Sequence, residues 1–193
     1  MPIWRQPSRR CRLRSAAVAT VLLATCGGDA APPTVLPVEI EGFRSNSLAE
    51  LDAREVAADA IDVQALATLL DSAGFGSAIE RSYTGPGQGI RRMDVRIVRF
   101  SSEPGAERYL AWQREHVSDV IGDAKLATEH QLAGAPIYLH MPDGCCTKET
   151  VLALAMWRKG PAVVRVLVAG PGADGAKAAS MIEDLYRSIP LDA

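Results

Sequence analysis

The chain has 193 residues and a formal net charge of -2, with Lys+Arg 21 nearly balancing Asp+Glu 23 and hydrophobic residues at 48%. That size suits one compact domain with its own core. The charge balance argues against a nucleic-acid binder, which needs an excess of Lys and Arg to neutralise phosphates.

The first segment is the most informative. Arg5, Arg9, Arg10, Arg12 and Arg14 precede an uncharged run over residues 15–25 that stops at Cys26. A basic start followed by a short apolar core has the form of a secretory signal. The apolar core is about half of the ~20 residues a spanning helix requires, so it cannot act as an ordinary transmembrane anchor.

Leu23-Ala24-Thr25-Cys26 resembles the lipobox of bacterial lipoproteins, with Thr25 standing where Gly, Ala or Ser is more usual. The resemblance implies cleavage before Cys26 and transfer of a diacylglyceryl group to its thiol, and two acyl chains hold a protein firmly where one does not. Cleavage elsewhere, for instance after Ala30, would give a freely secreted protein instead. Ser8-Arg9-Arg10-Cys11-Arg12-Leu13-Arg14 is also similar to a twin-arginine signal, although Arg12 occupies the place of a preferred aromatic residue, and the general secretory route is equally open.

On this reading residues 1–25 are a signal peptide, 26–37 a lipidated cysteine with a Gly, Ala and Pro-rich tether, and 38–193 a single globular domain. The removed segment carries five Arg and no acid, which takes the formal charge from -2 to -7.

Within the domain, Ser47-Leu48-Ala49-Glu50 has the capping-box spacing and predicts a helix start. Val63, Leu66, Leu69 and Leu70 continue at helical spacing towards Gly74, with Asp62 able to cap a second helix. Residues 77–83 and 90–100 then read as a hairpin around a Gly-rich turn. Met93, Val95 and Ile97 share one face of the second strand, and Arg92, Asp94 and Arg96 the other.

Ser102-Glu103-Pro104 opens a helix that runs to Gly122. Strands follow at 127–132, 136–141, 150–158 and 162–169, and a closing helix at 174–189. The predicted class is α+β: a mainly antiparallel sheet of about five or six strands with three helices packed on one face. This element order is loosely similar to extracytoplasmic domains of the Mog1 and PsbP fold, a resemblance that carries over no functional residue.

Cys11 leaves with the signal and Cys26 is lipidated, so the domain retains Cys145 and Cys146. In an oxidising compartment they form a vicinal disulfide, stay reduced or link to another chain; a bond between neighbours would be strained and reducible. The spacing is not C-x-x-C. His140 with Cys145 and Cys146 offers imidazole and thiolate but no fourth ligand, so no metal is expected.

Residues 170–175 match G-x-G-x-x-G between a strand and a helix, yet no second strand follows to complete a dinucleotide-binding unit, so no cofactor is expected. Glu183 and Asp184 do not face each other on a helix. The remaining candidate is a ligand-binding surface on the outward side of the sheet made of Arg92, Arg96, Arg165, Tyr138 and His140. The alternative is that these arginines pair with nearby acids such as Asp94.

The sequence therefore predicts a lipid-anchored module of the bacterial cell envelope, on the outer face of the membrane, that binds without catalysis. Its partners would be the membrane through the anchor and an envelope protein, glycan or small anionic ligand, with no nucleic acid. An envelope thiol-redox enzyme built on Cys145 and Cys146 is the alternative.

Overall fold

The computed structural model describes residues 36–40, 42–85, 90–122, 125–132, 135–140, 150–171 and 175–189; Cys26, Cys145, Cys146 and Asp174 lie outside them. In chain order the elements are β1 (Glu39–Ile40), β2 (Phe43–Leu51), α1 (Ala53–Ala57), α2 (Val63–Ala73), β3 (Phe75–Thr84), β4 (Arg92–Phe100), α3 (Glu103–Glu115), α4 (Val117–Ile121), β5 (Lys125–Leu132), β6 (Ala135–His140), β7 (Thr150–Lys159), β8 (Ala162–Pro171) and α5 (Gly175–Ser188). The strands form one sheet in the order β1-β2-β3-β4-β8-β7-β6-β5, with every neighbouring pair antiparallel. Two runs of four sequential strands therefore meet along β4 and β8.

Both faces of this α+β sheet are covered, which corrects the expectation that all helices lie on one side. One face of the central strands, among its residues Met93, Val95 and Ile97 of β4, Val164 and Val166 of β8 and Trp157 of β7, packs with Ala178, Ala179, Ile182 and Leu185 of α5. The even-numbered face of β4 carries Val98 and Phe100 into a second core with Leu66 and Leu70 of α2, and with Tyr109 and Leu110 of α3. Period-two alternation across a sheet sandwiched by helices produces two separate cores.

The helix boundaries follow local chemistry. Residues 47–50 lie in β2, where Ser47 pairs with Ser82 and Glu50 with Ile79, so the predicted helix start there is a strand. The helix begins instead at Asp52, whose carboxylate accepts from Arg54 and Glu55 backbone N–H groups while Glu55 Oε2 accepts from the Asp52 N–H at 2.8 Å. Asp62 caps α2, and Gly74 ends it in the left-handed conformation. The helix expected from 103 to 122 breaks at His116 into α3 and α4.

The first edge of the sheet is irregular. β1 covers only Phe43 and Arg44 of β2, and the register of β2 against β3 shifts between Ser45 and Ser47. Among the described residues, no helix is long and apolar enough to cross a membrane.

Candidate functional site

The antiparallel register sets Arg96 of β4 opposite both Glu80 of β3 and Arg165 of β8. Like charges directly opposite each other are unfavourable, and Glu80 offsets only one of the two guanidiniums, so a second negative charge is required. Asp59, in the connection between α1 and α2, supplies it. Arg96 Nη2 lies 2.7 Å from Asp59 Oδ2, and Arg165 Nη2 donates to that same oxygen at 3.0 Å. Arg96 Nε donates to Glu80 Oε2 at 2.6 Å.

The cluster is formally neutral and largely buried, with Arg96 only 5% exposed at its side chain. Burial pushes the Asp59 carboxyl up, but the Arg96 charge and the Arg165 hydrogen bond outweigh it and hold it below the ordinary 3.8. Burial works against the Arg96 charge, yet Glu80 and Asp59 leave its pKa raised. Tyr109 lies beside these charges with its phenol raised, chiefly by burial. Nη1 of Arg96 has no hydrogen-bond partner among the described residues.

All five residues of the predicted surface fall on this same face of the sheet. Arg92, Arg96 and Arg165 share it through the β4–β8 register, and Tyr138 and His140 join it through the β6–β7 and β7–β8 registers. The face is not outward at Arg96 and Arg165, however, because α1 to α3 cover it and those two cations are paired with Asp59 and Glu80. Arg92 pairs with Asp94 at 2.8 Å, its own side chain remaining 65% exposed. Three strand spacings, about 14 Å, separate it from His140. Ser82 also donates to Asp94 at 2.6 Å.

The sheet's other end holds a groove that the sequence did not reveal. It has a volume of about 370 Å³ and runs from Leu110, Ala111 and Arg114 of α3 past Leu132 and Ala135 to Trp157 and Tyr186. That volume lies within the range of small-ligand sites. The Trp157 and Tyr186 rings meet edge to face with centroids 5.2 Å apart. Glu107 and Arg158 complete the lining, and Arg158 Nη1 is held by Glu103 Oε2 at 2.8 Å and the Gly160 carbonyl at 2.9 Å. The side chains of Glu107 and Arg114 make no hydrogen bond or ion pair among the described residues.

Asp59, Glu80 and the groove residues were all missed in the sequence. Glu80 had a usable signal, since the 77–83 and 90–100 hairpin places it across from Arg96. Glu107 and Arg114 are seven residues apart on one helix and so share a side, a spacing that marks a common surface and nothing more. Trp157 and Tyr186 come from different elements and meet only in the folded chain. β8 is antiparallel to both of its neighbours, so the glycine-rich stretch at 170–175 does not open a parallel strand-helix-strand unit.

No protein-family model matches the chain, and a search of curated proteins returns no relative. Among solved structures, the chain is similar to the extracellular domain of PknH from Mycobacterium tuberculosis, with a TM-score of 0.49 and 11% sequence identity over 76% of this chain and 85% of that one.

Proposed function

We propose that the protein is a non-catalytic binding module of the bacterial cell envelope, held at the outer face of the membrane by a lipidated Cys26. The basic start, the short apolar core and the Leu23 to Cys26 sequence support the anchor. The groove between α3 and Trp157 supports the binding role, and is the single observation that carries it: apolar and aromatic walls flank two charges that no neighbour among the described residues neutralises.

Two measurements test the reading. Mass analysis of the N-terminal peptide from extracted membranes should find a diacylated Cys26, and Cys26→Ser should release the chain into the soluble fraction; an intact Met1 peptide in wild-type soluble protein overturns the anchor. In a fragment screen, saturable shifts of the Trp157 indole resonance without turnover are expected. A screen in which no fragment perturbs Trp157 overturns the binding role.

A further inference from the structure

Resting on the groove as a binding site, we infer that its ligand is a short zwitterionic peptide of about three residues. Glu107 and Arg114 stand on the same side of α3, about 10 Å apart along its axis. Both line the groove, and neither side chain has a partner among the described residues. Arg158, the other cation of the lining, is committed to Glu103 and the Gly160 carbonyl, so the unneutralised charges are one acid at one end and one base at the other.

Between them the lining side chains are mostly apolar. Leu110, Leu132, Ala135 and Trp157 carry no counter-charge. A ligand that answers the whole groove therefore carries a cation at the Glu107 end, an anion at the Arg114 end and an apolar middle. Three residues of extended chain span about 10 Å. A free tripeptide thus sets its ammonium at Glu107 and its carboxylate against the Arg114 guanidinium, whose planar fork matches a carboxylate, while a central apolar side chain lies against Trp157 and Leu132. A simple fatty carboxylate would leave Glu107 unanswered, and an amine would leave Arg114 unanswered.

The test is calorimetric titration of the full chain with Ala-Phe-Ala and Ala-Leu-Ala, each with free ends, with the N-terminus acetylated, or with the C-terminus amidated. Free peptides should bind saturably, and either block should weaken binding at least tenfold. Glu107→Gln should remove the penalty of acetylation and Arg114→Gln that of amidation, whereas Arg91→Gln, at an exposed arginine outside the groove, should change nothing. Ala111→Trp, at an exposed lining position, should fill the groove and abolish binding. Blocked and free peptides that bind alike, both stopped by Ala111→Trp, overturn the zwitterion inference and leave the groove standing. Peptide binding that survives Ala111→Trp, or no binding at all, overturns the inference outright.

Discussion

Tyr83 donates its phenolic hydrogen bond to the Pro37 carbonyl at 2.8 Å, across 46 residues of chain. Arg81 Nη1 donates to the same oxygen at 3.3 Å. With Leu36 buried beside them, this pins the start of the described chain to the hairpin of β3 and β4.

Burial pushes the Tyr83 phenol from 10.0 up to about 12, against the opposing charge of Arg81. The folded state therefore keeps a proton that the unfolded chain releases near its ordinary value. The resulting stability is present below pH 10 and is lost as pH rises towards about 12, on the order of 2 kcal/mol in full. Urea unfolding of Tyr83→Phe should show a loss of about 1 kcal/mol at neutral pH, from the lost hydrogen bond to the Pro37 carbonyl, and a shallower decline above pH 10. Parallel alkaline curves for the two proteins would count against this assignment.

Asp59 titrates in the opposite sense. Its carboxyl is held below the ordinary 3.8 in the folded protein, so its contribution is present above that value and disappears as pH falls through the lowered one. Asp59→Asn should flatten the acid limb of the stability curve below about pH 4, with a modest loss at neutral pH because the carboxylate is 45% exposed. Stability against pH by chemical denaturation reads both effects.

Removing one member of a buried ion cluster costs more than removing the pair. Arg96→Met leaves Glu80 with Arg165 at 3.7 Å as its remaining cation in the cluster, and should destabilise by about 3–5 kcal/mol. The double variant Arg96→Met/Glu80→Leu should lose less than Arg96→Met alone. An additive double variant would show that the two side chains are not energetically coupled.

Gly105 in the first turn of α3 lies against the backbone of Ala73 at the end of α2, and a Cβ there would collide with the Ala73 carbonyl oxygen. Although Ala is the better helix former, Gly105→Ala should destabilise by about 1–3 kcal/mol, the usual range for overpacking. A stabilised variant would mean that α2 and α3 separate readily.

The elements that repeat a simple period were legible in the sequence. Val63 to Leu70 fell into α2, and Met93, Val95 and Ile97 fell onto one buried face of β4. The opposite face misled because Arg92, Asp94 and Arg96 look solvated when read locally; the helices covering that face and the acid at Asp59 are set by tertiary packing. Residues 47–50 misled for a related reason. Their capping pattern is local, but pairing with β3 satisfies the same backbone groups in a strand, and Asp52 with Glu55 provides the cap five residues further on. The groove depends on α3, β7 and α5 meeting at one end of the sheet, a convergence that periodicity does not encode.

The interrupted border formed by β1 and β2 bears on how molecules behave in a crowd. A long, flat, uncovered strand invites a neighbour's strand to zip onto it, and here β1 stops after two residues while the offset between Ser45 and Ser47 bends the ribbon away from a straight template. Both features are of the kind that discourages copies held close together from polymerising through that side.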